Sequence, residues 1–207
     1  MSQAERLYHR VVCYGLLVIL ALPLLATLFY ALSREWSDTI LPRGITLSWF
    51  IELWQDPRFL TALGHSLIIC LGALIFSLLL VLPVMFVIAY YYPRLDSIMG
   101  VLILMPFAVP PVVSSVGLLQ LYSSAPLMLT GTPWILIGCY FTIALPFMYR
   151  AIANNMQSVN LKELMDAAHL LGAGTFRAAV FVVLPNLRKG VMVAVLLSFS
   201  FLIGEFV

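Results

Sequence analysis

The sequence predicts an all-α, polytopic transmembrane helix bundle with about five spans. Its residues are 63% hydrophobic and 10% charged, and the mean hydropathy is +1.06. Soluble domains carry about 25% charged residues, so a chain this apolar has no means of covering a soluble surface. From Ser97 to Tyr149 there is no Asp, Glu, Lys, Arg or His. That run holds two membrane helices at about 20 apolar residues each. The charges that do occur gather in connections between apolar runs.

The first span is expected at about 11–32, after Arg6 and Arg10. It is longer than a signal-peptide core and no small-x-small cleavage site follows, so it reads as retained. The 33–60 connection balances Arg34, Arg43 and Arg58 against Glu35, Asp38, Glu52 and Asp56. It also carries Trp36, Trp49 and Trp54. Indoles favour the membrane interface, so an interfacial helix is expected near 47–55, in preference to a substrate-binding role for these rings. Further spans are expected at 63–91, 98–122, 133–151 and 188–207, with Arg94 and Asp96 between the second and third and an uncharged 123–132 loop after the third. Arg150, Lys162, Arg177, Arg188 and Lys189 fall between the fourth and fifth. The positive-inside rule then puts the N-terminus and residues 152–187 in the cytoplasm. Pro23, Pro83, Pro106, Pro110, Pro111 and Pro146 lie inside the apolar runs, where each removes a helical hydrogen bond, and kinks around a path or plain packing irregularity both account for them. Cys13, Cys70 and Cys139 all sit in apolar segments and read as small hydrophobes.

Residues 160–173 predict a helix along the cytoplasmic surface. Asn160 suits an N-cap, with Glu163 three residues on as in a capping box. Leu161, Leu164, Met165, Ala168 and Leu171 recur at helical spacing as one apolar face, with Lys162, Glu163, Asp166 and His169 largely elsewhere. Gly172 supplies a left-handed stop. Ala167 and Ala168 are small enough for a partner backbone to come close. Such a helix lies in the headgroups, packs on its own bundle or docks in a partner's groove. Composition by itself favours the first two.

A resemblance shifts the reading to the third. Asp166-Ala167-Ala168, three residues, Gly172, nine residues, then Val182-Val183-Leu184-Pro185 resembles the cytoplasmic loop of binding-protein-dependent ABC transporter permeases of the MetI-like kind. The family pattern begins with Glu where this chain has Asp166, which keeps the charge and shortens the reach. The stretches HSLIICLGALIFSLLLVLPVMFVIAYYY, LILMPFAVPPVVSSVGLL, ALPFMYRAI and LLSFSFLIGEF also resemble family segments, so the likeness covers roughly 45–207. It implies a MetI-like fold and a permease domain over 45–207, after an N-terminal helix and the start of a periplasmic loop over 1–44. It implies that the loop helix couples to a cytoplasmic ATPase, through Leu164, Asp166, Ala167, Ala168, Gly172, Leu184 and Pro185. The partners implied are ABC ATPase subunits, a second permease of the same or another kind, a periplasmic solute-binding protein and the bilayer of a bacterial inner membrane. No nucleic acid, cofactor or metal is implied. The family has one more transmembrane helix after this point, so the reading also expects a truncated product, and a non-transporting fragment is one alternative. A secondary transporter is the other, although the inverted repeats and broken mid-membrane helices of that class are not evident.

No Walker A string, Gly-x-x-x-x-Gly-Lys-Ser/Thr, occurs, so ATP hydrolysis is assigned to a separate subunit. Enzymatic chemistry in the chain itself is not expected. The candidate path residues are Ser114, Ser115, Ser198 and Glu205. Glu205 stands in an apolar segment, where an ionisable group points by default to function, and a structural role weighs equally. For Ser198 helix packing is the preferred reading. The outer-loop string REWSDTILPRGITLSWF and the Gly-Glu-Phe ending resemble the polyamine, phosphonate, iron and thiamine branches, with 2-aminoethylphosphonate or a polyamine the favoured solute.

Overall fold

The computed structural model describes residues 3–36 and 42–205. It divides into two compact units, Met1–Leu63 and Gly64–Val207. Asp38, Phe206 and Val207 lie outside the described residues.

In the first unit α1 (Gln3–Leu32) runs unbroken through Pro23. Thr27 Oγ1 donates to the carbonyls of Pro23 and Leu24, at 3.1 and 2.9 Å. Two short antiparallel strands follow, β1 (Ser33–Glu35) and β2 (Arg43–Ile45), paired Ser33 to Ile45 and Glu35 to Arg43. The expected interfacial helix is present as α2 (Ser48–Gln55). The Trp49 indole N–H donates to the Ser33 carbonyl at 3.0 Å. That gives the tryptophan a structural use: it ties α2 to the start of the hairpin. Asp56 then receives the Arg58 backbone N–H at 2.8 Å, which opens α3 (Pro57–Tyr91).

The second unit carries the core. α3 buries Cys70, Ala73, Leu74, Ser77, Val81, Met85 and Ile88, a stripe at helical spacing. α6 (Pro133–Ser158) contributes Ala144, Met148, Tyr149, Ile152 and Met156, and α10 (Arg188–Leu202) contributes Gly190, Ala194, Ser198 and Leu202. The α10 stripe is small-residue-rich at a four-residue repeat, which lets helices approach closely without relying on apolar segregation that lipid does not provide. α3 and α6 also come close at Gly72, where a Cβ would meet Ile137 Cδ1 at 3.4 Å, and Phe76 and Phe141 stack edge to face at 5.3 Å.

The expected single helix at 98–122 is instead a bent pair. α4 (Leu95–Leu102) leads into a 3-10 turn (Met105–Ala108), and α5 (Pro111–Tyr122) leaves at 91°. Pro110-Pro111 is the cause. A residue before proline is pushed out of the α region, and Val109 and Pro110 are both extended, at φ −100, ψ 126 and φ −57, ψ 138. Pro23, Pro83 and Pro146 interrupt no helix. α6 runs past the expected end at 151, and α10 ends at Leu202 rather than 207. Among the described residues, three helices are long and apolar enough to cross a membrane, or up to five if each bent pair counts as one.

Candidate coupling segment

Between α6 and α10 the chain folds into a helical knob. The last turn of α6 closes on Asn155, whose backbone carbonyl accepts the Val159 N–H at 3.2 Å and the Ser158 hydroxyl at 2.7 Å. Asn160 then turns the chain in the left-handed region, φ 47 and ψ 66, and makes no side-chain cap bond. The expected capping box with Glu163 is therefore not formed. An N-cap side chain reaches the N2 or N3 amide from extended backbone, and Asn160 is used for its tolerance of left-handed φ instead.

α7 (Leu161–Leu170) buries Leu161, Met165 and Ala168. It ends as a Schellman motif. Gly172, at φ +81, gives its N–H to the His169 carbonyl at 2.9 Å, and Ala173 gives its own to the Ala168 carbonyl at 3.0 Å. His169 Nδ1 sits 3.0 Å from the Ala173 carbonyl across the same turn. The expected glycine stop is present, and positive φ is the reason for glycine there.

After Gly174 the chain forms α8 (Thr175–Ala178), a π-helical turn (Ala179–Val183) and α9 (Leu184–Asn186). The wide turn is closed by the Leu184 N–H on the Ala179 carbonyl. Pro185 has no N–H to give, and the Asn186 side-chain amide donates to the Val182 carbonyl at 2.8 Å. Helix 175–186 then meets α10 at 66°. α7 packs on α8 and the π turn. Leu161, Met165, Ala168, Ala178, Val183 and Leu187 belong to the same core cluster as Ile152 and Met156 of α6.

The candidate coupling residues divide by exposure. Asp166, Ala167, Gly172, Leu184 and Pro185 are exposed, and Leu164 is half-buried. Ala168 is only 5% exposed and packs on the chain's own core, which corrects its expected place on a partner-facing surface. Leu171, expected on the same apolar face as Leu161 and Met165, is 89% exposed where those two are buried. The helix ends at Leu170, so helical spacing no longer applies at Leu171. Leu170 is equally exposed, and Phe176 is 79% and Phe181 74% exposed. The sequence reading did not single out these three. Their signal was available: large apolar residues in a segment otherwise marked by charge.

The four candidate path residues are not gathered into one site. Ser114 and Ser115 lie on α5, Ser198 is fully buried on α10, and Glu205 follows the end of α10. The Ser198 Oγ has no hydrogen-bond partner. At the other end of α10's bundle, the Tyr149 hydroxyl of α6 donates to Asp96 Oδ1 in the first turn of α4. A cavity of about 300 Å³ opens beside it, lined by Met85, Asp96, Met156, Gln157, Asn160 and Lys162 among others. Among the described residues, no group of three or more His, Cys, Asp or Glu is placed to hold a metal ion.

The sequence profile described as "binding-protein-dependent transport system inner membrane component" matches residues 81–207. The putative 2-aminoethylphosphonate transport system permease protein PhnV of Salmonella typhimurium is 29% identical over 189 residues, 91% of this chain and 70% of that protein. The probable transport system permease protein NifC of Clostridium pasteurianum is 24% identical, over 88% of this chain and 70% of its own length. The sulfate transport system permease protein CysT of Escherichia coli is 26% identical, over 91% and 68%. The matched region takes in the whole α6–α10 core and the patterned knob between its helices, so the chain belongs to the binding-protein-dependent transport system inner membrane component family and is an all-α, multi-pass permease subunit of an ABC importer.

Proposed function

We propose that the knob between α6 and α10 is the element through which this permease couples to a cytoplasmic ABC ATPase. The observation that carries the reading is the split of the motif. Leu161, Met165 and Ala168 anchor α7 to the chain's own core, while Asp166, Ala167, Leu171 and Gly172 stand outward on the same short element. A helix anchored on one side and bare on the other suits docking in a partner's groove. Asp166 supplies a charge for that contact, and Leu170, Leu171 and Phe176 supply apolar area.

In this reading the permease domain spans 45–207 and the N-terminus is cytoplasmic. A second permease completes the path, and a periplasmic solute-binding protein delivers the solute. The segment entering and leaving the knob carries Arg150, Lys162, Arg177, Arg188 and Lys189, which supports placing it in the cytoplasm. The solute is proposed to be 2-aminoethylphosphonate, the compound for which the Salmonella relative is named. Polyamine is the competing solute. Pull-down of the ATPase by Asp166→Arg and Leu171→Asp permeases tests the docking. Loss of the ATPase from correctly inserted protein is expected, and full retention by both overturns the reading. Uptake of labelled 2-aminoethylphosphonate, competed by unlabelled putrescine, tests the solute; displacement by putrescine would reassign it.

A further inference from the structure

The two stems of the knob, α6 and α10, pack along their length, and at Gly190 they come within backbone reach of each other. Gly190 lies buried in the first turn of α10. A Cβ there would fall 2.4 Å from Asn155 Cβ, 2.7 Å from its Cγ and 2.8 Å from its Oδ1. Rotation about χ1 of Asn155 moves Cγ and Oδ1 but leaves Cβ where α6 holds it. An added methyl at 190 is therefore relieved only by moving a helix backbone. This is not a general property of the helical glycines: Gly15, Gly64, Gly100, Gly117 and Gly138 have nothing within 4 Å of the same position. Asn155 Oδ1 is also buried with no hydrogen-bond partner. A buried amide oxygen is normally paired. Here the oxygen lies 2.8 Å from the place a Gly190 Cβ would occupy, and no donor reaches it.

The placement gives the contact a consequence. Asn155 is in the last turn of α6, and everything between it and Gly190 is the knob. The interior of the knob is continuous with α6 through Ile152, Met156, Leu161 and Met165, and close-packed interiors transmit displacement rather than absorb it. The exit stem is less regular, although Ala178, Val183 and Leu187 are buried in the same core. It passes through a π turn and a proline before the 66° bend into α10, and these are sites where helices flex. The Gly190–Asn155 contact bypasses that hinge.

From this we infer that Gly190 is a positioning residue for the transport cycle: it holds the backbone of α10 against Asn155, so that a displacement of α7 reaches α6 and α10 together. The inference rests on the reading that α7 docks on the ATPase, and the test separates the two. The complete importer is reconstituted in vesicles with unaltered permease, Gly190→Ala, Asn155→Gly or the two substitutions together. Spin labels on cysteines at the exposed positions Asn154 and Lys189, with the native cysteines replaced, report the separation of the stems independently of the ATPase.

Gly190→Ala is expected to widen the label separation, retain the ATPase and lower uptake per ATP hydrolysed by about 10-fold, within the usual range of coupling between sites. Asn155→Gly in the same chain removes the colliding Cβ, and the pair is expected to regain the separation and the ratio of Asn155→Gly alone. An unchanged separation in Gly190→Ala overturns the inference. So do uptake and hydrolysis that fall together, which would make Gly190 a packing residue only. Should Gly190→Ala fail to insert, the paired variant decides: insertion with a normal ratio supports the contact, and failure to insert overturns it. Retention of the ATPase by Asp166→Arg and Leu171→Asp sinks the docking reading alone, and the label separation still reports on the stems.

Discussion

At Gly172 the backbone stands at φ +81, a conformation that costs an L-residue roughly 1–2 kcal/mol. Gly172→Val is expected to lower uptake more than Gly172→Asn, because asparagine visits left-handed φ more readily. Gly172→Pro is expected to be the most damaging of the three, since it also removes the N–H that bonds the His169 carbonyl. Uptake by the three variants at matched expression checks the order, and a Val variant at least as active as Asn would refute it. Ala168 and Asp166 make a second comparison two residues apart. Ala168→Arg forces a long cation into a site 5% exposed, at about 1–3 kcal/mol from overpacking alone. It is expected to lower the Tm of the detergent-solubilised permease. Asp166→Arg changes an exposed position and is expected to leave Tm unchanged while weakening ATPase capture. Equal Tm for both would contradict the placement of Ala168. Gly172 was legible in the sequence because glycine enters the left-handed region more readily than any other residue. The direction of Ala168 was not legible. Its periodicity put it on the same stripe as Leu161 and Met165, but small size fits a buried helix contact and a partner's approach equally well. The Gly190–Asn155 contact was also out of reach, because nothing in sequence spacing pairs two residues across a folded knob.

The tryptophans placed one helix closely: the interfacial α2, expected at 47–55, is Ser48–Gln55. Hydropathy found the long helices α1, α3 and α6. It located ends poorly where charge enters a continuing helix: Arg150 closes the apolar run, yet α6 goes on to Ser158 because Ala151, Ala153, Met156 and Gln157 are good helix formers. It missed the break at 102–111, where every residue is apolar and only the prolines mark the bend. The π turn at 179–183 has no sequence signature at all, since one inserted residue leaves a short run such as Ala179-Val180-Phe181-Val182-Val183 looking uniformly apolar. The join of α4 to α6 is testable through Tyr149, whose hydroxyl donates to Asp96. Asp96 is exposed, so the bond is discounted to about 1 kcal/mol, and Tyr149→Phe is expected to speed amide exchange at Leu95 and Asp96 by about 5-fold. Exchange at the unaltered rate would mean that the bond holds nothing. The orientation of the elements has its own check. A cysteine at position 126, in the loop without charge, is expected to be labelled only from the periplasmic side, and labelling only from the cytoplasm would invert the topology.

Taken as a whole, the bundle hides little of its apolar surface. The most apolar windows of α3 and α6 are each 28% buried. α10 turns Gly190, Ala194 and Ser198 inward and leaves Met192, Val193, Leu196 and Leu197 exposed on its other faces. Lipid covers such faces without penalty, so exposure by itself does not call for a second subunit. The interior does. The cavity of about 300 Å³ lies at one end, between α3, α4, α6 and α7. Along the middle of the bundle Ala144, Met148, Ala194 and Ser198 are fully buried and fill the space between α6 and α10. A route for a solute through that packed interior would have to part side chains that already fill it, whereas a route between two bundles needs only two facing surfaces. Closed two-fold pairing is the commonest way for a chain to supply both. The permease reconstituted in lipid nanodiscs with its ATPase is therefore expected to carry two permeases, either two copies of this chain or one copy with a related chain. Mass measurement of single particles decides it. Transport-competent particles holding one permease would place the path inside a single bundle, and would require α6 and α10 to part at the contact that Gly190 and Asn155 now close.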